Sequence, residues 1–180
     1  AVDGGEGGTG AAPPEFTNYV GAPMIDGLDF VHNILTGLGI RKHIKVIASG
    51  KITTAFHLAR AIAMGADACY SARAMMMALG CIQAVICDTG KFPVGVATQN
   101  PDLYKGLHPA DKRIRVANYQ IKTIEATKEI MEACGFKTIE HIHASKFFRR
   151  INEQETKSFE QIYFLSNGSS LTNKLHSQLN

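Results

Sequence analysis

The sequence predicts an α/β fold built on parallel strands, and three observations lead there. Short apolar strand-like segments alternate with segments of helical periodicity. The connections between them are brief and rich in glycine. One segment, Ile44–Ala48 (IKVIA), is β-branched and mostly apolar, as in a strand covered on both faces. Alternation with short connections favours parallel pairing through right-handed crossovers. The bulk composition agrees: 180 residues, 45% of them hydrophobic, suit a globular unit with a real core. A net charge of +3, with Lys and Arg spread rather than striped, argues against nucleic-acid binding. No apolar run approaches the ~20 residues of a membrane-spanning helix, and no charged-then-apolar leader opens the chain. Four unevenly placed cysteines do not resemble a secreted disulfide framework, so a reducing, cytoplasmic setting is expected.

The elements follow in order. Ala1–Asp3 reads as the end of a strand. The loop DGGEGGTGAAPPEF follows, with Gly4, Gly5, Gly7, Gly8 and Gly10 permitting positive φ and Pro13-Pro14 keeping it extended. From Asp26 to Leu38 the residues Leu28, Val31, Leu35 and Leu38 recur at helical spacing, and Gly39 suits a C-terminal cap. The strand Ile44–Ala48 ends at Ser49-Gly50. Thr53 or Thr54 caps a helix whose Ala55, Leu58, Ala59 and Ile62 share a face, closed by Gly65. Ala68–Ser71 is a short strand, followed by a helix from Ala72 to Ile86. Asp111 is expected to cap a long helix to residue 134, with Ile114, Ala117, Ile121, Ile124 and Met131 inward and Gly135 at its end. The charged stretch 146–163 reads as a solvated face with a short helix, and the end around SNGSS as frayed. Because the chain opens on Ala1 and runs straight into a glycine-rich turn, it reads as the back part of a longer polypeptide.

Three motifs carry possible chemistry. DGGEGGTGA exposes several backbone N–H groups in one turn, which can bind an anion or press against a flat cofactor; a flexible loop is the plain alternative. No helix starts on its third glycine, so it is not a Rossmann signature. ASGKITT and YSARAMM each stand where a strand gives way to a helix N-terminus, a place that offers unpaired donors and a partial positive charge. Phosphate often binds at two such turns in a (β/α)8 barrel; strand-turn-helix with small residues is also simply common. In CIQAVICDTGKFPVGVATQ, Cys81 and Cys87 stand six apart, which on spacing alone fits two ordinary helix cysteines. Cys69 and Cys134 read as core residues.

Taken together, DGGEGGTGAAP, GAPMIDGL, IKVIASGKITTAFHLARAIAMGAD, ACYSARAMMMALGC, PVGVATQ and the helix near RIRVANYQ resemble the FMN-binding synthase domain of glutamate synthase, and especially the stand-alone proteins of that family. The resemblance implies that residues 1–136 form the C-terminal portion, about strands six to eight with their helices, of an incomplete (β/α)8 TIM barrel, with 137–180 a partly helical extension. It implies an oxidoreductase that reduces 2-iminoglutarate, made from 2-oxoglutarate and ammonia, to L-glutamate with hydride from FMN. It implies electrons from ferredoxin or an NADPH-oxidising subunit. By position, Ser49, Gly50, Lys51, Ala72 and Arg73 would hold the FMN phosphate, and Gly7, Gly8 and Glu6 would lie near flavin and substrate, with Glu6 a candidate catalytic charge. Ser49-Gly50-Lys51 stands where the large enzymes read Asp-Gly-Gly, and Ala72-Arg73 where they read Gly-Thr.

The family's [3Fe–4S] loop places three cysteines at positions matching Cys81, Cys87 and residue 92, and residue 92 is Phe. A phenyl group offers iron no lone pair, so the cluster is expected to be absent or labile. Other readings are a non-catalytic remnant, or another FMN- or phosphate-binding barrel enzyme. If these 180 residues were the whole molecule, the open sheet would be poorly stable and would bind FMN weakly.

Overall fold

Three short strands lie side by side in parallel: β1 (Val2–Asp3), β2 (Ile47–Ser49) and β3 (Ala68–Tyr70), in the order β1-β2-β3. The computed structural model describes residues 1–7 and 13–163. Helices α1 (Pro14–Tyr19) and α2 (Met24–Gly37) connect β1 to β2, α3 (Ala55–Ala63) connects β2 to β3, and α4 (Ala72–Leu79) follows β3. The pairing sets Asp3 opposite Ser49 and Ser49 opposite Tyr70, so the three strands end level and their following turns emerge together. The mixed α/β class with a parallel sheet is therefore the observed architecture.

Local chemistry accounts for the element ends. The Thr54 hydroxyl accepts the His57 N–H and caps α3. Small side chains at Ala55, Ala59, Ala61 and Ala63 are buried and let α3 lie close to the sheet. Gly65 terminates it at φ +103, a conformation that costs glycine least. The main core gathers Met24, Leu28, Val46, Ala48, Ala59 and Met64. Phe136, Ile142, Phe147 and Phe159 join the same cluster from the far end of the chain. That end comprises α5 (Pro101–Tyr104), the long α6 (Pro109–Ala133), an antiparallel hairpin of β4 (Phe148–Arg150) and β5 (Thr156–Ser158), and α7 (Phe159–Tyr163).

Several sequence expectations need correction. The Pro13-Pro14 segment is not simply extended: Pro13 has φ −52 and ψ 147, as a residue before proline should, but Pro14 then opens α1. Strand β2 starts at Ile47, not Ile44. Arg41–His43 make a turn of 3-10 helix just before, and Ile44 is exposed while Val46 and Ala48 are buried. The helix after β3 stops at Leu79 rather than Ile86. Gly80 takes φ +108, and the N–H groups of Gly80 and Cys81 donate to the Met77 and Met76 carbonyls, which closes the helix end. The inward face of α6 is also displaced from the expected one. Ile114, Ala117, Ile121 and Ile124 are exposed, while Met131 packs against the core as expected; the least exposed stripe runs through the half-buried Val116, Tyr119, Thr123, Ile130 and Cys134 and the buried Thr127. Thr123 and Thr127 fit that face because their hydroxyls bond back to the carbonyls of Tyr119 and Thr123. The charged 146–163 stretch contributes Phe147 and Phe159 to the core and is not only a solvated face. The SNGSS segment lies outside the described residues.

Candidate functional site

Two turns stand next to each other at the C-terminal ends of β2 and β3. The Ser71 hydroxyl, on the second turn, donates to the Ile52 carbonyl on the first at 2.7 Å. Ser71 is the residue before α4 and the natural donor of a cap, yet with its oxygen turned to Ile52 it makes no capping bond to the helix. The Ser71 side chain thus supplies no cap to the first turn of α4, which carries the positive end of the helix dipole. The first turn is held equally firmly. Tyr119, from α6, donates to the Thr53 carbonyl at 2.6 Å. The His57 imidazole accepts from the Thr53 N–H through Nδ1, a long contact of 3.4 Å, and also engages the Lys51 backbone. Burial, and next the Arg60 guanidinium, holds the His57 pKa below the ordinary histidine value, which keeps the ring neutral and able to accept.

The residues expected at a phosphate sit here: Ser49 ends β2, Gly50 and Lys51 form its turn, and Ala72 and Arg73 begin α4. Lys51 adopts φ +48, a left-handed conformation unusual for a side-chain residue. Gly50 permits a close approach: a Cβ there would stand 2.5 Å from the Cβ of Met24. A cavity of about 80 Å³ adjoins these turns, with Ile52, Thr53, Ser71, Met75 and Tyr119 among its walls. Sequence reasoning missed Tyr119 and His57, which brace the turn from α6 and α3. Nothing in an isolated tyrosine signals a contact 66 residues away; His57, three residues after the Thr54 cap, was the more readable of the two.

The glycine-rich loop sits at the end of β1. Gly4 bonds through its N–H to the Ser49 carbonyl at 2.8 Å, which ties the loop to the β2 turn. Glu6 lies in the short 3-10 turn Gly5–Gly7, and both of its carboxylate oxygens accept the Met24 N–H, at 2.9 and 3.0 Å. Glu6 thus caps α2, whose preceding Pro23 has no side-chain donor or acceptor of its own. Gly7 closes the 3-10 turn, and Gly8 lies outside the described residues.

The cysteine loop departs from a metal site. Cys81 follows the α4 cap, Cys87 opens a 3-10 turn to Thr89, and both are free thiols. Cys81 Sγ accepts from the Gln83 N–H at 3.4 Å. Phe92, at the third position, is fully buried and points no donor anywhere. Among the described residues no group of three or more His, Cys, Asp or Glu side chains converges to hold a metal ion. The residues present do not fit a cluster that requires a thiolate for each iron. Cys69 is partly buried against the core, and burial pushes its thiol pKa up to about 11, so it is inert. Cys134 also packs against the core.

A family model described as the conserved region in glutamate synthase matches residues 1–137. Among curated proteins, the chain is 42% identical over 145 residues to the glutamate synthase large subunit-like protein YerD of Bacillus subtilis, covering 81% of this chain and 27% of that protein. It is 40% identical over 157 residues to the archaeal glutamate synthase [NADPH] of Methanocaldococcus jannaschii, covering 86% of this chain and 31% of the relative. It is 35% identical over 144 residues to the ferredoxin-dependent glutamate synthase of Antithamnion sp., covering 78% of this chain and 9% of that protein. The chain thus spans less than a third of the length of each of these relatives.

Proposed function

The chain belongs to the glutamate synthase family, and on that premise we propose that it is the C-terminal part of an FMN-binding (β/α)8 barrel, about strands six to eight with their helices. Residues 1–136 are the barrel portion and 137–180 an extension. The activity is that of a glutamate synthase-type oxidoreductase. FMN, when bound, would supply the hydride for reducing 2-iminoglutarate, formed from 2-oxoglutarate and ammonia, to L-glutamate. The setting is cytoplasmic; no helix among the described residues is long and apolar enough to cross a membrane. The electron donor is a ferredoxin or an NADPH-oxidising subunit, since relatives are named for both dependences.

One observation supports this reading: Ser71 donates to the Ile52 carbonyl and makes no capping bond to α4, which ties the start of that helix to the turn after β2. In this role the chain's residues bind and orient. The amides of Gly50, Lys51, Ala72 and Arg73 would hold the terminal phosphate, and the Lys51 charge would add attraction. Ser49 sets the direction in which the turn leaves the sheet. Carbonyl oxygens of the first turn are held by Ser71 and Tyr119, so they do not turn toward the anion and repel it. Gly7 would give the flavin close approach to the backbone, and Gly8, outside the described residues, is assigned the same role by the resemblance alone. Glu6 would lie at the barrel mouth near the substrate, its carboxylate fixed in direction by the Met24 N–H. No step is assigned to an iron–sulfur cluster, because Phe92 replaces the third thiolate.

The test is flavin selectivity in the intact protein that carries these residues. Quenching of flavin fluorescence is expected to report FMN binding at least ~30-fold tighter than riboflavin, the difference of about 2 kcal/mol that charge-assisted bonds to a phosphate supply. Equal affinity for the two flavins would remove the phosphate site from the account.

A further inference from the structure

A second cleft, of about 770 Å³, opens between Glu6, the start of α2, the side of α3, strand β4 and α7. None of Ser49, Gly50, Lys51, Ala72 or Arg73 lines it, so it is distinct from the paired turns. Three guanidinium side chains, Arg60 of α3 and Arg149 and Arg150 of β4, stand on its walls. Arg60 makes no ion pair within 4 Å, and its Nε is buried with no hydrogen-bond partner among the described residues. An unpaired buried donor on a charged group is costly, and its retention calls for a partner. Desolvation and then the mutual reach of the charges set the Arg60 environment: Tyr163 and Glu6 favour its charge, and Arg149 opposes it. The two carboxylates on the wall do not neutralise the arginines by contact. Glu6 is engaged by the Met24 N–H, and Asp26 lies in the first turn of α2, where the helix dipole favours a negative charge.

The rest of the wall is aromatic. Phe56 and Phe148 are exposed at its rim, and Phe56 stacks at 5.8 Å from the buried Phe147 ring, which fixes its position. Arg149 reaches the Tyr163 hydroxyl at 3.4 Å. Forked guanidiniums match the planar geometry of carboxylate and phosphate groups, and aromatic walls accept an apolar body. The volume lies in the range of small-molecule sites and exceeds that of a bare inorganic ion.

We propose that this cleft is a binding site for a small organic anion, held through its carboxylate or phosphate oxygens by Arg60, Arg149 and Arg150, with its carbon body against Phe56 and Phe148. The site uses none of the phosphate-turn residues, and Glu6 is the one wall residue it shares with the proposed substrate end.

The experiment titrates citrate, and in a parallel arm pyrophosphate, into the intact protein while the Arg60 Nε–Hε signal is followed by ¹⁵N NMR. Sodium chloride at matched ionic strength is the control. A saturable shift of the Arg60 signal is expected with at least one of the two probes, and which one saturates identifies the oxygen chemistry. R149Q and R150Q, both in an exposed strand, should each weaken that binding at least 5-fold while the protein remains folded by circular dichroism. A shift reproduced by sodium chloride, no saturable shift with either probe, or unchanged affinity in both variants would overturn the site.

Discussion

At position 92 a phenyl ring is fully enclosed where the resembled loop carries a thiolate. The ring does not belong to the main core cluster, so it anchors its own loop. Phe92→Ala should cost about 3–5 kcal/mol if the loop unfolds with the rest, and less if it opens alone. Denaturant midpoints, together with protease cleavage between residues 81 and 99, separate the two. Phe92→Cys should gain a reconstitutable cluster signal in EPR after anaerobic loading with iron and sulfide, while the natural sequence gives none; a stable cluster in the natural protein would refute the assigned role of Phe92. Asp67 makes a second residue-scale prediction. Burial pushes its carboxyl pKa up, but the Val46 N–H and the Arg41 and Lys45 side chains outweigh this and hold it below the ordinary aspartate value of 3.8. A depressed folded pKa stabilises the protein above the unfolded value, and the gain is lost as pH falls through the folded one. Asp67→Asn should therefore lower thermal stability at pH 7, with the gap to the natural protein closing as pH drops below about 4.

The helix ends form a controlled comparison at the scale of elements. Gly39 after α2 and Gly65 after α3 both take positive φ, at +71 and +103. A Cβ on Gly39 meets nothing within 4 Å, whereas one on Gly65 runs into the His32 ring. Gly39→Ala should cost about 1 kcal/mol for backbone strain alone, and Gly65→Ala clearly more, because His32 is held by Arg41 at 3.2 Å and cannot yield freely. Thermal melts of the two variants test the ranking. These caps were legible in the sequence because glycine after an apolar periodic run has one main structural use. So were the three strands, and the cap of α3 was narrowed to Thr53 or Thr54, of which the structure uses Thr54. The register of α6 was not. Counting only aliphatic residues placed Ile114, Ile121 and Ile124 inward, whereas the helix turns Tyr119, Thr123 and Thr127 to α3 and α4, since local back-bonding makes threonine effectively apolar there. The end of α4 was misplaced because Ile82, Val85 and Ile86 sustain an apolar pattern past Gly80, although a glycine cap had already closed the helix. The paired turns were legible as strand-to-helix junctions. Their bracing by Tyr119 was not, since it depends on a contact across the fold.

Over the whole molecule, a three-stranded sheet presents β1 and β3 as its outer strands among the described residues. Unpaired strand edges are stabilised by further strands in a closed barrel. A polypeptide of residues 1–180 alone is accordingly expected to bind FMN much more weakly than a relative with the full barrel, and tight stoichiometric binding would reverse that expectation. In the proposed function, amides at the start of α4 and in the turn after β2 would together hold a phosphate. Ala72 is the first residue of α4, where proline is tolerated because its missing N–H has no partner within the helix. Ala72→Pro therefore deletes one amide donor and leaves the helix in place. The decisive measurement is the affinity of the intact Ala72→Pro protein for FMN and for riboflavin. The account predicts an FMN affinity reduced by about 10-fold, the value of one charge-assisted bond, with riboflavin unchanged. Equal FMN affinity in the variant and the natural protein would contradict it.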